Sequence, residues 1–486
     1  MNVFDYLFEE NKTIEKDFVL GTKETISYDK LFDESLKFAS YLNNTVGENK
    51  NIILISQNST FFLIAYLGIL KSGNVCVPLN FAIEQDNFNY ISKQTDCQTF
   101  IITKKLQSII QINQSSTVIN EDVLDTILKQ EYNHIYNTSF DKNRLAEIIF
   151  TSGSTGEPKG VMISHLNIIS NTNSIIEYLN LTSKDIMGVT LPFFYCYGLS
   201  LLHTHLKVGA SIVLLNNFIF LGSFIKDLKD YKCTGFAGVP SHFQILLKKS
   251  QTFKNTEFPH LKYVTQAGGK LHTVFIEEFI KTFPYIKFHI MYGQTEATAR
   301  LSHLPLKDLK TKLSSIGKAI PGVQLKVINE NGEIANINEE GELLAKGENI
   351  MLGYYKDSLS TNNTIINGWL YTGDIAKIDN DGFIYLVARK KEILKVGGKR
   401  VSPKEIEEVI ISIPKVVDCN ITGIYDENLG EAIKATVVLT NEASIDKMKV
   451  VILAYCAKKL SSYKIPQEIV FQKSILTNST GKKKVN

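Results

Sequence analysis

The stretch Thr151-Ser152-Gly153-Ser154-Thr155-Gly156-Glu157-Pro158-Lys159-Gly160-Val161 gathers three glycines, four hydroxyls and one lysine behind the apolar run Ile148-Ile149-Phe150. Glycines let a backbone turn tightly and aim N–H groups at an anion. Hydroxyls add donors and the lysine adds a point charge. Such a loop suits a polyphosphate, and so a nucleoside triphosphate. It is not the common phosphate loop, which needs Gly, four residues, then Gly-Lys-Ser/Thr. Here Pro158 and Lys159 stand at those places, and Pro158 has no N–H to offer. The competing reading is a plain Gly/Ser surface turn.

Four further segments carry polar chemistry. Tyr292-Gly293-Gln294-Thr295-Glu296 offers a hydroxyl for a phosphate oxygen and a carboxylate for Mg²⁺, although such a pair after a strand is also an ordinary helix cap. Tyr371-Thr372-Gly373-Asp374 presents an aspartate on a tight turn, able to accept two ribose hydroxyls or to serve the turn alone. The basic segment from Ala388 and Arg389 through Lys391 and Gly397-Gly398 to Arg400 reads in isolation as a solvated strand and turn, and Thr480-Gly481-Lys482 as a charged tail.

The elements that must position these groups are readable from periodicity. Residues 52–56, 74–79, 99–103, 146–151, 186–191, 210–215, 233–239, 261–266 and 286–292 read as buried strands. Helix-length segments at 59–71, 165–179, 241–249 and 272–283 lie between them. This alternation predicts an α/β fold with parallel sheet, whose ligands sit beyond the carboxyl ends of strands. From about residue 315, glycine-punctuated short strands predict antiparallel hairpins or a small barrel. Residues 403–411, 416–424, 432–439, 445–461 and 467–471 are enough for a small α+β domain.

Composition narrows the function classes. The chain of 486 residues is 44% hydrophobic, long enough for more than one domain. Its net charge of +3, from 53 basic and 50 acidic residues, gives no general attraction to nucleic acid or anionic membrane. The longest apolar run, 61–70, is about half of the ~20 residues a membrane span needs, so we expect a buried helix and no membrane insertion. The acidic start without an apolar signal core argues for a cytoplasmic protein. The six cysteines lack metal-ligand spacing and read as buried thiols in a reducing compartment. His203 and His205 read as core or pocket residues.

Together and in this order, the five segments resemble the adenylate-forming superfamily, which includes acyl-CoA synthetases, nonribosomal adenylation domains and firefly luciferase. The resemblance covers nearly the whole chain. It implies an N-terminal domain over 1–387, a hinge at 388–391 and a mobile C-terminal domain over 392–486. It also implies a two-step reaction: a carboxylate attacks Mg·ATP to give acyl-AMP and pyrophosphate, then a thiol displaces AMP. By the same resemblance, Thr151, Ser152, Gly153, Ser154, Thr155, Gly156 and Lys159 hold the leaving phosphates. Thr295 contacts the α-phosphate, Glu296 ligates Mg²⁺, and Lys482 bridges the carboxylate and the α-phosphate. Asp374 binds the ribose with Arg389 nearby. Gln266-Ala267-Gly268-Gly269-Lys270 flanks the adenine and Tyr292 stacks on it. Lys391 is the hinge residue, and Gly397 and Gly398 line the thiol tunnel. The chain departs from the family where Ala388 replaces a glycine, where Ile475-Leu476 and Val485 replace expected residues, and where Lys483 and Lys484 crowd Lys482.

Leu191-Pro192-Phe193-Phe194-Tyr195-Cys196-Tyr197-Gly198 resembles the substrate segment of acyl and aryl CoA ligases. Amino-acid-activating relatives carry an aspartate where Tyr195 stands, and residues 186–226 hold no carboxylate. A buried ammonium without a counter-ion is costly, so we expect an acid without an α-amino group. Phe194, Tyr195, Tyr197 and His203 are the expected pocket lining, against a reading as core packing. CoA or a phosphopantetheine carrier protein is the expected acceptor. The alternatives are a stand-alone enzyme loading a separate carrier, and a non-catalytic nucleotide-binding homologue.

Overall fold

A computed structural model describes residues 1–21, 24–132, 140–151, 157–216, 218–426, 429–440, 443–473 and 475. Two large sheets dominate the first part of the chain. The seven-stranded sheet has a parallel interior in which Asn51–Ile55, Val75–Leu79, Thr99–Ile102 and Leu145–Thr151 take part. The nine-stranded sheet runs parallel through Ser211–Leu214, Ile186–Val189, Gly235–Gly238, Tyr263–Gln266 and Lys287–Tyr292. These are the β-branched, apolar runs seen in the sequence, and their near-complete burial is what a parallel sheet covered on both faces requires.

Two helices join the sheets. Thr60–Lys71 packs on Asn51–Ile55 and Val75–Leu79, while Cys196–Lys207 packs on Ile186–Val189 and Ser211–Leu214. Both are buried on nearly all sides: the first is apolar all round, and the second buries Ser200, His203, Thr204 and His205 along with its apolar residues. They meet where the Tyr66 hydroxyl lies 2.7 Å from His203 Nε2 and where the Phe62 and Phe193 ring centroids lie 5.5 Å apart. The run 61–70 is thus a core helix, and no described helix is long and apolar enough to cross a membrane. All six cysteines are buried.

Beyond residue 315 an antiparallel sheet forms from Val323–Ile328, Gly341–Gly347, Trp369–Ile378 and Ile384–Arg389. The last strand runs through Ala388 and Arg389, the first two residues of the expected hinge; the chain turns only at 390–392. The C-terminal part is a separate sheet, with Val416–Asp426 antiparallel to Gly430–Leu439 and Glu468–Gln472 parallel to the latter. Helices Pro403–Ile411 and Ile445–Lys459 pack together on it.

Candidate nucleotide and acyl site

The glycine-rich segment is the tip of a β-hairpin. Leu145–Thr151 pairs with Lys159–Ser164, and Thr151 stands opposite Lys159. Ser152, Gly153, Ser154, Thr155 and Gly156 lie outside the described residues. Lys159 is held by a neighbour the motif does not contain: its Nζ is 3.3 Å from Asp357 Oδ2, bonds the Ser360 hydroxyl, and sits 5.2 Å above the Tyr354 ring. The short strand Gly353–Tyr354 pairs with Val161 and Met162, which is how this segment reaches the loop.

Tyr354 also donates its hydroxyl to Glu296 Oε1 at 3.0 Å. Lys159 of the loop and Glu296 of the second motif therefore share one neighbour. Glu296 is half-buried in the short 3₁₀ turn Thr295–Ala297, directly after the strand Lys287–Tyr292. The turn folds back so tightly that a Cβ at Gly293 would lie 2.0 Å from the Ala299 carbonyl oxygen, so only glycine fits. Thr295 is buried, with Oγ1 3.6 Å from Cys196 Sγ. Among the described residues no cluster forms an all-protein metal cage. A single carboxylate completed by nucleotide phosphates is the usual Mg²⁺ arrangement, and Glu296 fits it.

Asp374 and Arg389 face each other across paired strands, with Arg389 Nε 2.7 Å from Asp374 Oδ1. The Tyr292 hydroxyl donates to Asp374 Oδ2 at 2.5 Å. Asp374 is only 4% exposed. Burial works against the Arg389 charge, but Asp374 and the other nearby anions raise its pKa above the ordinary value. The two partners fix the carboxylate and leave it lone pairs for further donors. Tyr292 is thus tied into this cluster through its hydroxyl.

In the segment 266–270, Gln266 Nε2 donates to the Gly269 carbonyl at 2.8 Å and Gly268 takes φ +86°. Lys270 reaches away toward the C-terminal part. Its Nζ is 2.6 Å from Glu408 Oε2 on the helix Pro403–Ile411. Glu408 Oε1 also accepts from Thr273 N at 3.2 Å and Thr273 Oγ1 at 2.9 Å. Burial raises the Glu408 pKa, but His272 and Lys270 outweigh it and hold the carboxyl well below the usual range.

The four expected pocket residues differ in burial. Phe194 and Tyr195 are half-buried at the head of the helix Cys196–Lys207, with Phe194 edge-on to Phe81 at 6.4 Å. Tyr197, by contrast, is buried, its hydroxyl 2.8 Å from Thr265 Oγ1 and 3.0 Å from the Thr265 carbonyl. His203 is buried against Tyr66, whose hydroxyl donates to Glu147 Oε2 at 3.0 Å. Burial lowers His203 to about 3 and raises Glu147 to about 7.

Lys391 and the glycines Gly397 and Gly398 are exposed. Both glycines have positive φ, +54° and +75°, in the turn between Leu394–Val396 and Lys399–Val401. Lys482 lies outside the described residues. Sequence reading missed Tyr354, Asp357 and Arg300. Arg300 is 3% exposed, with its guanidinium 4.0 Å over the Tyr197 ring, and no motif pointed to it.

Comparison with known proteins gives a consistent result. Residues 9–355 match the family model described as AMP-binding enzyme, and residues 405–482 match the AMP-binding enzyme C-terminal domain. The chain is 28% identical to oxalate–CoA ligase of Arabidopsis thaliana, over 95% of this chain and 92% of that protein. ATP-bound MatB from Rhodopseudomonas palustris superposes with a TM-score of 0.90 at 25% identity, covering 99% of this chain and 97% of that one. The anthranilate CoA ligase AuaEII, solved with anthranoyl-AMP, superposes with a TM-score of 0.92 at 22% identity, covering 99% and 95%.

Proposed function

The chain belongs to the AMP-binding enzyme family, and from that premise we propose that it is an AMP-forming acid–thiol ligase, activating a carboxylic acid with ATP and passing the acyl group to CoA. The observation that carries this reading is the convergence on Tyr354 and Tyr292. Tyr354 links Glu296 to the hairpin of the phosphate loop, and Tyr292 links the same strand to Asp374. Three segments far apart in sequence are thereby tied together, which supports reading them as one site.

In the first step a carboxylate oxygen forms a bond to the α-phosphorus and the bond to the β-phosphate oxygen breaks. Two anions must meet, so the protein's task is charge screening and alignment more than proton transfer. Residues 152–156 and Lys159 hold the leaving pyrophosphate. Thr295 orients the α-phosphate, Asp374 holds the ribose hydroxyls with Arg389 steadying it, and Gly268 and Gly269 border the base. Glu296 is the residue that would hold Mg²⁺, which supplies charge neutralisation at the phosphates. Lys482 bridges carboxylate and α-phosphate.

In the second step the thiol sulfur bonds to the acyl carbon, the carbon–oxygen bond to AMP breaks, and the thiol proton leaves to solvent. The division into 1–387 and 392–486 lets the C-terminal part turn about Lys391, withdrawing Lys482 and bringing Gly397 and Gly398 to the thiol path. The acid lacks an α-amino group. Residues 186–226, which include the helix Cys196–Lys207, hold no carboxylate; of the buried carboxylates around that helix, Asp185 is committed to Thr182 and Thr234, and burial raises Glu147 to about 7, which weakens it as a counter-ion.

The test is hydroxamate formation from ATP, Mg²⁺ and a panel of fatty, aryl, hydroxy and α-amino acids, followed by mass analysis of products with CoA or with a phosphopantetheinylated carrier. Acyl-CoA from a non-amino acid is the expected product. Turnover of amino acids alone, or transfer to the carrier alone, overturns the corresponding part.

A further inference from the structure

We propose that Arg300 is the specificity-determining residue of the acyl site, and that the acid it selects bears a second carboxylate remote from the one activated. This rests on the acid–thiol ligase reading above.

Among the described residues, Arg300 is a buried cation that forms no ion pair with a carboxylate. Arg144, Arg389 and Arg400 each face a carboxylate, from Glu48, Asp374 and Glu330. Arg300 does not: among the described residues its guanidinium has the Ala299 carbonyl at 3.2 Å, the face of Tyr197 at 4.0 Å and the Tyr178 hydroxyl as a hydrogen-bond acceptor. Its Nε is buried and has no hydrogen-bond partner among the described residues. Neutral oxygens and a ring face recover only part of the cost of taking a guanidinium out of water. A folded chain that keeps such a group has a use for it.

The neighbourhood is rich in donors, and its buried carboxylate, Asp185, acts on Tyr263 but is bonded to Thr182 and Thr234 and forms no ion pair with Arg300 among the described residues. The Tyr263 hydroxyl, close to Tyr197, is buried and unpartnered among the described residues, as is Nε2 of Gln294, which directly precedes Thr295. His303 stacks on Tyr178 at 4.5 Å and lies 2.9 Å from His289, and burial keeps both imidazoles neutral. The cluster therefore presents one firm positive charge with uncommitted donors beside it. An anion is what such a cluster recognises, and the planar guanidinium favours a carboxylate.

Its place in the site says which carboxylate. Thr295 touches Cys196, and Arg300 covers the ring of the next residue, Tyr197. Arg300 and Thr295 thus touch neighbouring residues in the first turn of the same helix. The reacting carboxylate belongs at Thr295 and Lys482, and the far end of the acid belongs at Arg300.

The experiment measures pyrophosphate release by the full-length protein with ATP and Mg²⁺ on length-matched pairs: butyrate against succinate, pentanoate against glutarate, 3-methylbenzoate against isophthalate. We expect the diacid to lead in at least one pair. In Arg300→Met the diacid-to-monoacid ratio of kcat/KM should fall roughly 100-fold, mainly through KM, because a site built around a charged contact rejects the analogue that lacks it. Arg300→Lys should recover part of that ratio. Thermal melting of each variant establishes that it is folded, and a melting shift with diacid alone reads binding without turnover. Monoacids leading in every pair, with pyrophosphate still released, overturns the inference and leaves the ligase reading standing. So does an Arg300→Met variant that loses mono- and diacids equally. Pyrophosphate from no acid sinks the ligase reading, and this inference with it.

Discussion

The Tyr354 hydroxyl donates to the Glu296 carboxylate at 3.0 Å, while the ring of the same tyrosine lies 5.2 Å beneath the Lys159 ammonium. Tyr354 thus places the carboxylate assigned to the metal and the lysine assigned to the leaving phosphates around one rigid side chain. It sits on a two-residue strand, Gly353–Tyr354, fixed by pairing with Val161 and Met162.

Tyr354→Phe keeps the ring and removes the bond to Glu296. Loss of one hydrogen bond to a charged group is worth about 1.5–3 kcal/mol, so kcat/KM for ATP should drop roughly 10- to 100-fold. The Mg²⁺ concentration giving half-maximal rate should rise as well. A variant with an unchanged Mg²⁺ requirement would show that Glu296 needs no such support.

Glu408→Gln tests the contact between the two parts of the chain. The folded carboxyl is held below its unfolded value, so its stabilisation is present above pH ~4.3 and is lost as pH falls below that toward the folded value. Urea unfolding should show the variant less stable by about 1 kcal/mol at pH 7, with the gap closing below pH ~4. A gap independent of pH would mean that packing, not charge, is lost.

Glu147→Gln runs the other way. Burial raises this carboxyl to about 7, so the folded state binds its proton more tightly than the unfolded chain. Wild-type stability should therefore decline relative to the variant as pH rises from ~4.5 to about 7, by up to ~3 kcal/mol, and level off above. The amide oxygen still accepts from Tyr66, so the bond between the helix Thr60–Lys71 and the strand Leu145–Thr151 is kept. Parallel stability–pH curves would contradict a neutral Glu147.

Most of the sheet strands, the helices at 165–179 and 403–411, and the five polar segments were legible in the sequence, because buried parallel strands read as β-branched runs and polar loops at their ends stand out against them. The strand Asp17–Leu20 was not, since four residues carry too little pattern; pairing with Ser211–Leu214 and with Ile26–Ser27 defines it. Lys159–Ser164 was hidden by the Gly- and Pro-containing loop it closes. Tyr354, Asp357 and Arg300 escaped because their meaning is a contact: Tyr354 meets Glu296 from 58 positions away. Tyr197 and His203 look like pocket residues by type, and their bonds to Thr265 and Tyr66 could not be read from the sequence.

The most direct measurement is acid-dependent ATP–pyrophosphate exchange without any thiol, comparing the wild-type protein with Lys482→Ala. Exchange should appear only with a carboxylic acid present. The variant should lose it by at least about 100-fold, as expected when a transition-state contact is removed, while its ATP affinity stays within a few-fold. Exchange that needs no acid, or that survives the loss of Lys482 intact, would contradict the account.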